Sequence, residues 1–299
     1  MPVVQAIGNT DKIYSIESDV SEIINDLKNE GYDFIVDLHH NLRSAQVKLA
    51  LNSFHGSALR QKSASFPKLN IEKWLMVNLR INRLPGIHIV DRYFETVKSL
   101  GVKNDEQGLE YHIPANEEID VGAIDESPLL MNGYIGFVIG ANHYTKQLPV
   151  HKIVSLCKQI EMPIVLLGGK GDEEKANEII KLTIHHSPYT IYNACGKYSI
   201  HGSASLVRQA RKIITHDTGL MHIAAAFKKD IISVWGNTIP EFGMYPYMPE
   251  ANSHIMEVKD LACRPCSKIG YKACPKKHFN CMEQIDEGKI LEYIKEETL

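Results

Sequence analysis

The chain has 299 residues, a formal net charge of −3 and 44% hydrophobic residues, as expected of a globular protein with room for two domains. This slightly acidic balance argues against a general nucleic-acid binder, so no nucleic-acid partner is expected. No apolar run approaches the ~18 residues of a membrane helix. The N-terminal "MPVVQAIGNTDKIY" lacks a signal-peptide pattern, which predicts a cytoplasmic protein.

The first half of the chain mixes strand and helix patterns without strict alternation. Residues 11–16 and 32–38 are predicted as strands, and residues 19–31 as a helix capped by Ser18 or Asp19 and ended by Gly31. Further helices are predicted at 44–51, 71–79 and 91–101. Residues 102–132 are acidic and weakly patterned, which is typical of a linker. We therefore predict one lobe at 1–128 and a second at 129–299.

From residue 134 onward, Val- and Ile-rich runs alternate with helix-length segments. The predicted strands are 134–140, 163–168, 189–194, 212–216 and 231–235. Continuous apolar strands separated by helices predict a parallel sheet covered on both faces, which is a doubly wound α/β domain.

Asp217, Thr218 and Gly219 stand where one of these strands meets a helix. Ligands of open parallel sheets bind beyond the carboxyl ends of the strands, and a helix that begins there presents unpaired N–H groups that suit phosphate. Thr218 can donate to a phosphate oxygen, Gly219 permits close approach, and His222 lies one turn further on the same face. The alternative is that Asp217 simply caps the helix.

Two other strand ends carry similar residues. Asn142 and Lys146 follow the strand at 134–140, and the third junction, "GGKG", includes Gly169. Three polar, small or basic strand ends predict a site for a nucleotide diphosphate, although glycine there is also ordinary turn chemistry.

The segment "THDTGLMHIAAAFKKDIISVWGNTIPEFGMYP" resembles the C-terminal signature of the heptosyltransferase family, glycosyltransferase family 9. "TKQLP" is similar to the family's lysine-containing segment, and clustered cysteines after residue 263 recur in many members. The resemblance implies a GT-B fold of two Rossmann-like lobes, the first of them incomplete here. It also implies transfer of heptose from ADP-heptose to the lipopolysaccharide core or lipid A acceptor.

The resemblance assigns roles to particular residues. Asp217, Thr218, Gly219 and His222 would hold the sugar diphosphate, and Lys146 would neutralise the leaving diphosphate. Tyr198 falls near the adenine position, while the family's acidic contact in the third junction maps only to Lys170 or Asp172. Ala141 and Asn142 replace paired hydroxyl residues of relatives.

Catalysis would proceed by inversion and need no cofactor. No Asp-x-Asp triplet is present to hold a metal, so the helix terminus and Lys146 would stabilise the leaving group. The family's general base is an Asp in a "Gly-Asp" turn after the first strand, and this chain shows no such opening, since "AIGNTD" matches it only superficially. We therefore assign no base and expect a truncated chain. The alternatives are an inactive nucleotide-sugar-binding module or another GT-B-type sugar-nucleotide enzyme.

Weaker signals concern the acceptor side. His39, His40, Asn41 and Arg43 lie at the end of a predicted strand, where they could bind an anionic sugar acceptor or stabilise the loop. The stretch from Arg60 to Arg83 contains six basic residues and one acidic residue, interleaved with apolar side chains. This stretch is either a helix with a buried apolar stripe or a peripheral contact with the inner membrane.

The remaining motif is a cysteine-rich segment, residues 263–281, which contains Cys263, Cys266, Cys274 and Cys281. In a reducing compartment this pattern favours either a structural zinc or iron site or free thiols, and disulfides less readily. Cys157 and Cys195 stand alone within apolar segments and are predicted to be buried.

Overall fold

The computed structural model describes residues 2–5, 8–52, 62–123 and 133–296. The second half of the chain forms a six-stranded parallel sheet, whose strands are β3 Ile135–Val138, β4 Ile164–Leu167, β5 Ile191–Asn193, β6 Lys212–His216, β7 Asp230–Trp235 and β8 His254–Glu257. Their order across the sheet is β5-β4-β3-β6-β7-β8. This is the doubly wound order, and it confirms the predicted α/β class. The edge strand β8 was not predicted.

The helices of this lobe cover both faces of the sheet. They are α6 Val150–Gln159, α7 Glu173–Thr183, α8 Ile200–Gln209, α9 Gly219–Ala226, α10 Asn280–Glu283 and α11 Glu287–Lys295. Alternate residues of β3 serve opposite faces, as strand geometry requires. Ile135 and Phe137 join the core formed with α6, α7 and α11, whereas Val138 joins the core formed with α8 and α9. Ala224 and Ala225 let α9 pack closely on the sheet.

The first half of the chain is smaller. Its elements are α1 Pro2–Gln5, α2 Ser21–Glu30, β1 Phe34–Asp37, α3 Leu42–Asn52, β2 Lys62–Ser65, α4 Asn70–Leu79 and α5 Ile89–Val97. Strands β1 and β2 pair in parallel, with Phe34 opposite Lys62. The predicted strand at 11–16 is wrong, because Lys12 and Tyr14 instead bind Glu30 at the end of α2. Gly31 ends α2 in the left-handed conformation, as predicted.

The N-terminal cap of α2 lies later than predicted. Val20 occupies the cap position, and the carboxylate of Asp19 accepts a hydrogen bond from Ser21 N–H at 2.9 Å. The carboxylate of Glu22 accepts bonds from the N–H groups of Glu17, Ser18 and Asp19. The carboxylates of Asp19 and Glu22 together therefore stabilise the start of α2, which the sequence pattern assigned to one capping residue.

The described part of the predicted linker, residues 102–123, packs against the second lobe. Ile119 N–H donates to Ser205 Oγ at 3.0 Å, and Glu118 pairs with Arg208 at 2.7 Å, so both contacts fall on α8. The proposed boundary between residues 128 and 129 lies outside the described residues.

Helix α5 joins the first lobe to the segment after β7. The backbone N–H of Ile89 donates to Gly243 O at 2.8 Å, and Arg92 Nη2 donates to Phe242 O at 3.1 Å. Gly243 has a φ of 81°, and a Cβ there would lie 2.8 Å from Ile87 O, so only glycine fits this contact.

None of the helices described here is long and apolar enough to cross a lipid bilayer.

Candidate functional site

A cleft of about 470 Å³ opens at the carboxyl ends of β3, β4 and β6. The strand order reverses between β3 and β6, and open parallel sheets bind ligands at such a switch point. Five of the sequence-predicted donor residues line this cleft, namely Asn142, Gly169, Tyr198, Thr218 and Gly219. The junction residues thus converge as their strand positions indicated.

The N-terminus of α9 is open to this cleft. Thr218 occupies the cap position in an extended conformation, and its side chain makes no capping bond. Gly219 is exposed, and a Cβ there would meet no atom within 4 Å. The first N–H groups of the helix and its partial positive charge therefore face space that an anion can enter. The alternative that Asp217 caps this helix is wrong.

Asp217 instead holds Lys146. Lys146 Nζ lies 2.6 Å from Asp217 Oδ2, and their side chains are 15% and 10% exposed. Thr238 Oγ1 donates to the same carboxylate oxygen at 3.0 Å. Lys146 and Thr238 thus fix the position of the Asp217 carboxylate, and its role toward the sugar diphosphate stays a prediction.

His222 lies near this ion pair without lining the described cleft. Burial lowers the pKa of the His222 imidazole; nearby His88 and Lys146 add to this effect, whereas Asp217 opposes it. The imidazole is therefore neutral at pH 7, and it can donate or accept a hydrogen bond without adding charge beside Lys146.

His216, at the end of β6, has a structural role that the sequence did not suggest. It is fully buried, and its Nε2 accepts a bond from Leu148 N–H at 2.9 Å. Burial lowers the pKa of His216 to about 3, and the positive charge of Lys175 adds to this effect. The neutral ring thus joins β6 to the start of the α6 crossover, which follows Lys146.

The third junction is held by Asp172. Gly169 N–H donates to Asp172 Oδ2 at 3.0 Å, and Lys175 Nζ lies 3.0 Å from Asp172 Oδ1. A Cβ at Gly140 would stand 2.1 Å from Asp172 Oδ2, so this carboxylate requires a glycine opposite it. Asp172 therefore shapes the wall of the cleft, and the Gly169 N–H is already paired.

Tyr198 closes the cleft on the side of α8. Its hydroxyl lies 3.0 Å from the Tyr192 hydroxyl, and burial together with this bond raises the pKa of Tyr198 to about 12. The phenol is therefore neutral, and Tyr198 lines the cleft together with Gly168 and Gly169, while its contact with adenine stays a prediction.

The predicted acceptor residues take part in local bonds. His39 is exposed, His40 Nδ1 lies 3.1 Å from Phe66 O, and Arg43 Nη2 reaches Ser18 O at 3.5 Å. Asn41 Oδ1 accepts from Ser44 N–H at 2.9 Å and so supports the start of α3. Their role toward an acceptor stays a prediction.

Asp37 is the last residue of β1, directly before the same loop, and is 4% exposed. Burial raises the pKa of its carboxyl, but Lys48 at 2.8 Å and the His40 N–H outweigh burial and hold the pKa below its usual range. A carboxylate paired in this way stabilises the loop.

The cysteine-rich segment holds free thiols. Cys263 Sγ lies 3.7 Å from His278 Nε2, and Cys281 is buried. Among the residues that the structure describes, no three Cys, His, Asp or Glu side chains are grouped to hold a metal. Thiolates and imidazole suit zinc or iron, but they do not surround a common point here, so the metal stays a prediction. Cys157 and Cys195 are buried, as predicted.

Thr238 is the site residue that the sequence reasoning missed. It follows β7, is 2% exposed and orients Asp217. The sequence does place Thr238 in "GNTIP", directly after the buried strand β7. Because β7 lies beside β6, this position could have indicated that Thr238 lies near Asp217.

Comparison with known proteins agrees with this geometry. The family model for glycosyltransferase family 9 (heptosyltransferase) matches residues 20–276. Lipooligosaccharide heptosyltransferase 2 of Campylobacter jejuni is 31% identical over 133 residues, which cover 44% of this chain and 40% of the relative. The matched region thus spans well under two thirds of that relative's length.

Solved structures share the fold over almost the whole chain. The ADP-heptose lipopolysaccharide heptosyltransferase II of Escherichia coli superimposes with a TM-score of 0.67 at 19% identity, covering 98% of this chain and 85% of that one. A family 9 glycosyltransferase of Veillonella parvula gives a TM-score of 0.69 at 16% identity, covering 98% and 84%. The family match covers most of the sequence, and the chain therefore belongs to glycosyltransferase family 9, the heptosyltransferase family.

Proposed function

We propose that this protein transfers heptose from ADP-heptose to the lipopolysaccharide inner core in the cytoplasm, with peripheral contact at the inner membrane. The observation that carries the proposal is the cleft at the switch point, where the uncapped start of α9 opens beside the Lys146–Asp217 pair. Family membership supports the sugar chemistry. A heptosyltransferase of Escherichia coli has been solved with ADP.

In the proposed mechanism, the diphosphate lies against the N–H groups that begin at Gly219. The negative charge that develops on the departing ADP meets the helix dipole and the Lys146 amine, which is the preorganised stabilisation that a metal supplies in other transferases. Asp217 and Thr238 keep the amine in place between turnovers. The acceptor hydroxyl would attack the anomeric carbon from the face opposite the departing ADP, which inverts the anomeric configuration, and its proton would pass to water because no residue is assigned as the base.

The test combines binding and turnover. ADP is titrated calorimetrically, and transfer is then followed by ADP release and by the mass gain of heptose-deficient lipopolysaccharide incubated with ADP-heptose. Lys146→Met should weaken ADP binding about tenfold to a hundredfold, because it removes one charge-assisted contact of ~1.5–3 kcal/mol. Lys181→Met removes an exposed lysine of α7 and is the matched control.

The outcomes are distinct. ADP binding without transfer would indicate a nucleotide-sugar-binding module, and preference for another nucleotide would indicate a different GT-B-type enzyme. If the wild type and folded Lys146→Met bound ADP with equal affinity, the Lys146 amine would not contact the nucleotide.

A further inference from the structure

A second cavity, of about 630 Å³, lies between α4 and the cysteine-rich segment, outside the donor cleft. Its lining includes Asn70, Lys73 and Trp74 of α4 and Ser267, Lys268 and Tyr271 of the cysteine-rich segment. The two walls are tied together at the rim, because Lys268 Nζ lies 3.5 Å from Asn70 Oδ1 and Arg80 Nη1 donates to Pro265 O at 2.7 Å. Neither wall is assigned a role by the proposed transfer reaction.

The cavity is positively charged. No carboxylate in the described parts of the chain lies within ion-pair distance of Lys73 or Lys268. Burial lowers the pKa of Lys73, and the neighbouring charges of Arg92 and Lys268 lower it further. Residues 261–282 carry five Lys or Arg residues and no acidic residue. An anion placed here would relieve the repulsion between these cations.

The rim of the cavity is apolar and exposed. Ile71 and Trp74 lie three residues apart on one face of α4 and are 73% and 56% exposed. Ile269 and Tyr271 extend this surface on the other wall and are also exposed. Exposed Trp, Tyr and Ile side chains are typical of a surface that rests in a lipid headgroup layer when they lie beside lysines that, among the described residues, have no carboxylate partner. A soluble phosphate would leave this apolar rim in water.

We propose that the cavity binds the phosphate of an anionic membrane lipid through Lys73 and Lys268, while Trp74 and Ile71 enter the headgroup layer. The site would thus dock the protein on the membrane, independently of any nucleotide.

Hydrogen bonds connect the lining of this cavity to the turn that carries Lys146. Tyr271 N–H donates to Thr145 Oγ1 at 2.8 Å, and Thr145 N–H donates to Tyr271 O at 3.2 Å. Thr145 precedes Lys146 in the chain, so a lipid seated beside Tyr271 borders the turn that carries the site's amine. The lipid site gives the proposed peripheral membrane contact a location, so it rests on that part of the proposed function but not on the transfer of heptose.

The test uses the full chain and two kinds of vesicle, phosphatidylcholine alone and phosphatidylcholine mixed with phosphatidylglycerol. Trp74 is a built-in reporter, because the only other tryptophan, Trp235, is 1% exposed. We expect cosedimentation and a blue shift of tryptophan emission with the anionic vesicles. Trp74→Phe should abolish the blue shift.

The double variant Lys73→Gln/Lys268→Gln should bind anionic vesicles about thirtyfold more weakly, from the attraction of roughly two cations to an anionic surface. Lys158→Gln/Lys181→Gln removes the same charge from exposed positions on α6 and α7 and should bind as the wild type does. Circular dichroism confirms that each variant is folded.

Equal weakening in both double variants would overturn the proposal in favour of general charge attraction. So would saturation of the site by inorganic phosphate without vesicle binding, which would indicate a free-phosphate site. Because the assay contains neither ADP-heptose nor acceptor sugar, its failure is independent of any failure of the transferase assignment.

Discussion

The buried pair of Lys146 and Asp217 provides the sharpest test of the site. In Lys146→Met, an apolar chain of similar length replaces the amine, and the Asp217 carboxylate keeps the hydroxyl of Thr238 as a donor. Removing one partner of a buried ion pair costs about 3–5 kcal/mol. Because Thr238 remains and both side chains keep slight exposure, we expect a loss at the low end, about 3 kcal/mol, or roughly 6–12 °C in Tm.

A double-mutant cycle isolates the interaction. Asp217→Asn leaves the Lys146 ammonium without its counter-charge, so the same argument gives a loss of about 3 kcal/mol. Lys146→Met/Asp217→Asn leaves neither charge of the pair and should cost no more than either single variant, so the coupling energy should be at least about 3 kcal/mol. Urea unfolding followed by circular dichroism measures all four proteins.

A surface pair supplies the control for this cycle. Lys295 and Glu161 lie 4.0 Å apart with side chains 66% and 73% exposed, and Lys295→Met should change the stability by no more than about 0.5 kcal/mol. The reasoning fails if Lys146→Met costs no more than this control, or if the two site substitutions are additive.

Three further predictions concern the helix terminus, a buried imidazole and the thiols. Gly219→Ala should leave the Tm unchanged or higher, because its Cβ meets no atom, yet it should weaken ADP binding in calorimetry by narrowing the approach to the helix; unchanged affinity would argue against a phosphate there. Because burial keeps His216 neutral in the native state, only the unfolded chain binds a proton at this residue below pH ~6.5. The free energy of unfolding of the wild type should therefore fall by about 2 kcal/mol between pH 7 and 5. His216→Gln should lose less over that interval in urea titrations, and an equal loss would contradict the assignment. Burial raises the pKa of Cys157, Cys195 and Cys281 to about 12, so mass spectrometry after brief alkylation at pH 8 should find these three unmodified in the native protein and modified only after unfolding.

The second lobe could be predicted well because its signals are strong and local. The run at 212–216 contains two isoleucines and is followed within three residues by a helix, and the structure gives the strand the bounds Lys212–His216. Residues at the ends of parallel strands must meet at one edge of the sheet, so the sequence alone could place Asn142 and Thr218 in one cleft.

The partners of charged groups were harder to predict. The sequence shows that Lys146 and Asp217 stand at neighbouring strand ends, but it does not show that they neutralise each other, because that depends on side-chain reach across the cleft. Thr238 was missed for the same reason. In the first lobe, residues 11–16 have strand composition but bind along α2, and the pattern alone does not show that Lys12 and Tyr14 contact Glu30.

The turn that carries Lys146 takes its backbone partners from far along the chain. Thr145 O accepts a hydrogen bond from Asn237 N–H at 3.3 Å, and Thr145 N–H donates to Tyr271 O. The turn reaches its final geometry only when Tyr271, 126 residues further along the chain, has packed against it. The position of the Lys146 amine therefore depends on the cysteine-rich segment as well as on the strands that line the cleft.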